Sequence, residues 1–429
     1  MKISTATRNW WAVFGDYVGF GVGLTFTHTG TVLPAFAATL TDSKVLIGMV
    51  GTVWLGAWLL PQLFAANYLT NKAKKYKYMV WGSIIGRPVF FLFAALLITG
   101  WLDKSPGLLL IIFLAGLAWF AGSDAFVAIC WFDIFGKAMG PAERGRLIGI
   151  GQVVTGMLAI GAGGLVSYLL SNQGPTYPYN YAAIFALAGL AFFVSLIAVT
   201  AMVELPEEVP AEPPVTDWKK FLPKLVEIWQ GDARFARVVL VRLLIGLSEL
   251  AAPFYIIHAT QVSGVDASVV GSLAAVGSVG ATLAGLWLGR VAARQGSHQV
   301  IQITSGLAVI PPLLGLVVAF LPPAAWFIWL YIGCYLILGM VNGSSLLGYF
   351  NYVMDLAPPG GRPMYMGMAN TLPGLLVIAP MIGGWVLEHS SYPVLFVLTL
   401  IGVGAAAVTA LGLPPLAHKD EAEKVEVGV

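Results

Sequence analysis

Charge is scarce in this chain. Of 429 residues only 10% are Asp, Glu, Lys or Arg, against roughly 25% in a soluble domain. A water-soluble protein of this length could not cover its surface with so few. Cysteine is nearly absent: Cys130 and Cys334 are the two in the chain, and both sit in apolar runs. That excludes a disulfide framework and a thiolate metal site, leaving two small core residues. The formal net charge of +2 excludes a strongly basic nucleic-acid binder. HExxH, GxSxG and Walker A patterns are missing, as is any His/Cys cluster, so neither an intramembrane enzyme nor an ATP-driven pump is expected. No cofactor and no metal are expected either. What remains is 58% hydrophobic residues and 50 glycines, the composition of helices packed closely in lipid.

A helix needs about 20 apolar residues to cross the hydrocarbon core. Twelve such segments can be placed: Trp10–Ala37, Val45–Tyr68, Tyr78–Thr99, Gly107–Phe132, Arg146–Leu170 and Tyr181–Val203, then Phe235–Ala259, Ser268–Val291, Val300–Leu321, Ala324–Phe350, Met364–Leu387 and Pro393–Leu413. The first is too long for a cleavable signal core and reads as a retained span. The long hydrophilic break between spans six and seven opens acidic and Pro-rich from Glu204. It continues as Trp218, Phe221, Leu222, Leu225, Val226, Ile228 and Trp229 among Lys219, Lys220 and Lys224. That half reads equally as a short amphipathic helix on the membrane surface or as a solvated linker helix. The expected organisation is an N-terminal six-helix bundle (1–203), a linker (204–234), and a C-terminal six-helix bundle with its tail (235–429).

Lysine and arginine fix the expected orientation. With both termini cytoplasmic, the inner loops collect Lys72, Lys74, Lys75, Lys77, Lys137, Arg144, Arg146, Arg290, Arg294 and Arg362, while Lys44 and Lys104 fall outside. The expected setting is the plasma membrane, or the inner membrane of a two-membrane bacterium.

The chain also repeats itself. A shift of 218 residues lays Phe132 on Phe350, Pro141 on Pro359, Arg144 on Arg362, Gly149 on Gly367 and Gly156 on Gly374; elsewhere Gly48 falls on Gly271 and Pro88 on Pro311. Two parallel halves joined by a linker are a transporter arrangement. Together with the basic short loops, this pattern resembles the major facilitator superfamily over essentially the whole chain. That family's signature after its second and eighth spans is matched in part by Gly285, Gly289, Arg290, Arg294 and Gly296, without the aspartate. In the first half Asn67 stands near the aspartate's place, followed by Lys72, Lys74 and Lys75. The resemblance implies an all-α fold of two six-helix bundles with a cytoplasmic gate. Asp133 with Arg144 and Arg146, and Asp355 with Arg362, look like that gate. Gly156, Gly161, Gly163 and Gly164, with Pro380, Gly383 and Gly384, resemble the glycine-rich motif of drug exporters, although the proline appears only on span eleven.

Ionisable groups inside spans are costly and mark a pathway or a pair. Asp16, Arg87 and Asp124 all lie roughly 9–12 Å from the cytoplasmic ends of their spans, counted at about 1.5 Å per residue, so Arg87 can stand between two carboxylates. The cluster belongs to one half, since the repeat places Ile310 and Asn342 at the positions of Arg87 and Asp124. A structural ion pair and a transport role are equally open. Arg242 and Glu249, seven residues apart, are expected on one helix face, with Glu249 near the midplane as proton carrier or anchor for a cationic substrate. Gln152 and Asn370 correspond under the repeat and, with Asn342, are expected to face the cavity. His28 and His258 read as hydrogen-bonded interface histidines. The expected activity is secondary transport by alternating access, coupled to protons or another ion, with export of amphiphilic compounds as the first reading. Uptake of a sugar or organic acid is the alternative, and a non-transporting receptor or scaffold the rival from another class. A monomer in the lipid bilayer with a small-molecule substrate is expected.

Overall fold

The computed structural model describes residues 4–70, 72, 74–100, 105–139, 141–204, 226–324, 326–357, 365, 368–369 and 372–416. Among them every regular element is helical. The first half comprises α1 (Thr5–Phe26), α2 (Val32–Leu40), α3 (Lys44–Thr70), α4 (Tyr76–Gly86), α5 (Val89–Thr99), α6 (Pro106–Ala138), α7 (Pro141–Leu170) and α8 (Tyr179–Ala201). The second comprises α9 (Ala233–Gly246), α10 (Phe254–Ile257), α11 (Val269–Gln295), α12 (Ser297–Leu307), α13 (Ile310–Phe320), α14 (Phe327–Gly343), α15 (Asn351–Leu356), α16 (Ala379–His389) and α17 (Tyr392–Leu411).

Among the described residues eleven segments are long and apolar enough to cross a membrane, against twelve expected. The exception is the first. Trp10–Ala37 is not one helix: α1 stops at Phe26 and α2 starts at Val32, with Thr27, His28, Thr29, Gly30 and Thr31 between. The Thr27 hydroxyl donates to the Gly23 carbonyl at 3.0 Å, the kind of local bond by which threonine competes with helix propagation. Taken alone α1, which carries Arg8, Asn9 and Asp16, is too polar to count. Of the linker, residues 226–231 are helical, while Trp218, Lys219, Lys220, Phe221, Leu222, Lys224 and Leu225 lie outside the described residues.

Other spans are broken at related places. Arg87 and Pro88 separate α4 from α5, and Ala308 and Val309 separate α12 from α13 just ahead of Pro311 and Pro312. Proline supplies no N–H and crowds the preceding turn, which explains both bends. In the first helix of the second half, α9 gives way to a 3₁₀ turn over Leu247–Leu250, and α10 leads into a π turn over His258–Val262.

Within the first half α1 packs on α8 and α7, α3 and α4 on α6, and α5 on α8; within the second, α11 packs on α14, and α9, α12 and α13 on α17. Phe36, Phe90, Phe113, Phe120, Phe185 and Phe192 form a continuous aromatic core in the first half, with Phe120 and Phe192 rings 4.8 Å apart. The halves meet along α3 against α16 and α7 against α11. Both seams are backbone against glycine. A Cβ on Gly48 would strike the Pro380 carbonyl, and one on Gly271 the Gly163 carbonyl.

Candidate functional site

The basic end of the bundle, where α1 begins and α17 finishes, and the far end differ. At the far end the halves are in contact. Ser43 donates to the Glu388 carboxylate at 2.5 Å, and the Val45 N–H to the same oxygen at 3.1 Å. Lys44 reaches Gln261 at 3.0 Å, and the Ser167 and Ser272 hydroxyls lie 2.8 Å apart.

Between the halves, below that seal, lies a cavity of about 350 Å³, at the small end of ligand pockets. Its walls come from the broken helices. His28, Thr29 and Gly30 supply one side; Ser248, Glu249, Ala252 and Pro253 supply the other, with Trp54 and Asn342 also lining it. Irregular backbone at membrane depth is tolerated where it borders a cavity rather than lipid. The first break is tied to α14, since the Tyr335 hydroxyl donates to the Gly30 carbonyl at 2.8 Å. Among the described residues Glu249 is the single carboxylate in the lining, and no lysine or arginine accompanies it.

The α-helix carrying Arg242 ends at Gly246 and tightens into 3₁₀ geometry before Glu249. Of the two, Glu249 lines the cavity, while the Arg242 guanidinium lies over the Tyr349 ring at 5.8 Å. His28 lines the cavity, and its Nδ1 accepts from the Gly30 N–H at 3.2 Å. His258, buried, bonds through Nδ1 to the Tyr331 hydroxyl at 2.6 Å, and Ser263 lies 3.0 Å from that hydroxyl.

Asp16, Arg87 and Asp124 meet. Arg87 Nη2 donates to Asp16 Oδ1 at 3.2 Å, with both side chains buried. The Ser195 hydroxyl donates to the same Asp16 oxygen. The guanidinium lies over the Phe20 ring at 5.6 Å, and its Nε and Nη1 are buried without hydrogen-bond partners. Asp124 borders the same cleft as Arg87 and accepts from Trp58 Nε1 at 3.2 Å. Trp58 was not singled out by sequence; only its place one turn beyond Trp54 on α3 could have indicated it. The cleft between Arg87 and Asp124 has no room for a solute.

At the basic end Asp133 pairs with Lys75 at 2.7 Å and with Lys137 at 2.5 Å. Glu204 accepts from the Lys75 and Tyr76 backbone N–H groups at 2.8 Å. The Asp133 pairs stay within the first half, the Glu204 contacts tie the start of the linker to it, and sequence reasoning missed Glu204 as the cap of α4. Arg146, Arg290, Arg294 and Asp355 are exposed. Arg290 donates to its own helix at the Leu286 carbonyl, 2.8 Å away. Arg362, Asn370 and the side chains of Asn67 and Arg144 lie outside the described residues. Gln152 stands at the α7–α11 seam, where a Cβ on Gly285 would lie 3.0 Å from its Oε1.

A family model described as the Major Facilitator Superfamily matches residues 17–377. Among solved structures, a bacterial homologue of the iron transporter ferroportin in its inward-facing state superposes with a TM-score of 0.70 at 13% identity, covering 95% of this chain and 98% of that one. The same homologue's outward-facing state with soaked iron gives 0.60 at 12% identity, covering 96% and 99%. The nucleoside transporter NupG gives 0.63 at 14% identity, covering 96% and 98%. No curated protein matches the chain in sequence. Broken apolar helices around a cavity between two packed halves, with that family match across most of the length, carry one conclusion: this is a multi-pass membrane transport protein belonging to the major facilitator superfamily.

Proposed function

We propose that the protein is a proton-coupled secondary transporter of small solutes, working by alternating access between residues 1–203 and 235–429 as two moving bodies. The cavity carries this reading: it lies between the halves, below the contacts that join them at the far end, with one unpaired carboxylate, Glu249, in its wall. Under the positive-inside rule the basic end is cytoplasmic and the sealed end outward, in the plasma membrane. The better superposition on an inward-facing than on an outward-facing neighbour agrees with that state.

Two carboxylates serve coupling. Arg87 neutralises Asp16, leaving Asp124 with only the Trp58 indole N–H, so Asp124 is the member of the triad that exchanges a proton. Glu249 binds either a proton or a cationic cargo. Competition for one carboxylate yields exchange, so export against inward proton movement is the direction we propose. Uptake of an organic acid is disfavoured, because the cavity offers it no cation.

The test uses liposomes containing the full chain and a trapped pH-sensitive dye. A panel of small organic cations, neutral sugars and organic acids is added under an imposed pH gradient. Saturable, solute-dependent proton movement that disappears in Glu249→Gln and Asp124→Asn is expected. Ligand binding without any solute or proton flux would replace the transporter reading with that of a receptor.

A further inference from the structure

We infer that the cavity selects a small organic cation that also carries a hydrogen-bond acceptor, held between Glu249 of the second half and His28 of the first. The inference rests on the transport reading above for its meaning, and on the lining chemistry for its content.

Charge comes first. Among the described residues the Glu249 carboxylate accepts no hydrogen bond and joins no ion pair, and it is the single charged group in the lining. An anion entering the cavity would meet a like charge in surroundings that screen poorly, and a neutral solute would leave the carboxylate uncompensated. A cation corrects both. A divalent metal ion does not fit, since Ca2+ and Mg2+ take six or more oxygen ligands and Zn2+ about four ligands, and no group of three or more His, Cys, Asp or Glu side chains gathers among the described residues.

The second requirement comes from His28. Its Nδ1 accepts from the Gly30 N–H at 3.2 Å. In a neutral imidazole the proton must then sit on Nε2. That N–H has no partner among the described residues; it looks toward Gly277 of α11, where even an added Cβ would remain 3.6 Å away. His28 therefore offers a fixed donor from the break between α1 and α2, while Glu249 offers an acceptor from the break after α9. A cargo that answers both must be a donor at its cationic end and an acceptor elsewhere. Trp54 completes the site. Its ring is fixed against Phe120 at 5.3 Å, and an indole face set in a cavity wall attracts cations.

Three probes of one shape and different charge test this: tyramine (cation), tyrosol (neutral) and 4-hydroxyphenylacetate (anion), each of about ten heavy atoms and so within the cavity's capacity. Binding is measured by calorimetry on the detergent-purified full chain, with melting temperature as a check on folding. Tyramine is expected to bind about ten-fold or more tightly than either of the others, and in Glu249→Gln the three should converge. Phenylethylamine, which lacks the hydroxyl acceptor, should bind more weakly than tyramine. In His28→Phe that difference should vanish, and in His28→Gln, which keeps a donor, it should return. Equal affinities of the three probes, a cation preference that survives Glu249→Gln, or no binding of tyramine to folded protein would each overturn the inference. Tyramine binding as described without counterflow into liposomes would leave the recognition standing and defeat the transport reading instead.

Discussion

Gly48 and Gly271 stand at equivalent positions of the two halves and perform the same task at opposite seams. The Pro380 backbone lies against the first and the Gly163 backbone against the second. A shift of 218 maps position 163 onto 381, beside Pro380, while a shift of 223 maps 48 onto 271, so the two seams of the far end are closely related contacts.

The first prediction follows from those contacts. Gly48→Ala and Gly271→Ala each push a methyl group into a carbonyl, and overpacking of this kind costs about 1–3 kcal/mol. The cost falls on the sealed state alone, so the far end should open about ten-fold more often. Labelling of a cysteine placed at Ser272 by a membrane-impermeant maleimide should accelerate accordingly; unchanged labelling would mean the seam yields without effort.

Ser167 and Ser272 allow the opposite manipulation. With their hydroxyls 2.8 Å apart across the α7–α11 seam, Ser167→Cys with Ser272→Cys should cross-link under mild oxidation. Substrate exchange should stop in the linked protein and resume with reductant. Retained transport in fully linked protein would contradict alternating access through this seam.

Glu388 latches the other seam by accepting from Ser43 and from the Val45 N–H at the start of α3. The side chain is exposed, so water screens the interaction and its loss is modest. Glu388→Ala should raise the open population at the far end by about two- to five-fold, read by the same labelling rate, with little change in melting temperature.

The two aspartates of the triad should behave differently. Asp16→Asn strips Arg87 of its buried countercharge, and breaking such a pair by removing one partner costs about 3–5 kcal/mol. A sharp fall in folded yield and melting temperature is expected. Asp124→Asn keeps a group able to accept from Trp58, so the protein should fold normally and lose proton movement. Proton uptake retained by folded Asp124→Asn would remove this residue from coupling.

His258 should prove structural. Its replacement by Phe deletes the bond to Tyr331 but leaves the tyrosine with Ser263 at 3.0 Å. Destabilisation of about 1–2 kcal/mol with transport retained is expected, measured by thermal melting alongside liposome flux.

Apolar runs of membrane length and a repeat made most of this fold readable in the sequence. Where reading failed, the cause was an assumption of unbroken helix. The Thr-His-Thr-Gly-Thr run from Thr27 was a visible warning that 28 residues would not form one span. Pro253 warned of irregularity after Glu249, although the 3₁₀ turn begins earlier, at Leu247. That His28 lines the cavity was not foreseen, because the position depends on the backbone leaving the helix there. The meeting of Asp16 with Arg87 was anticipated from depth alone, since charges at one level in a bundle have few other partners. Glu204 could not be placed, because its role as a cap depends on where the chain leaves α8.

The seams at the far end are built from main-chain carbonyls resting on glycine, and that has an evolutionary consequence. Main-chain atoms are common to every sequence, so the closing machinery makes no demand on the identity of the residues lining the cavity. Lineages that keep these few glycines can rewrite His28, Trp54 or Glu249 and acquire a new cargo without having to reinvent the way the protein shuts.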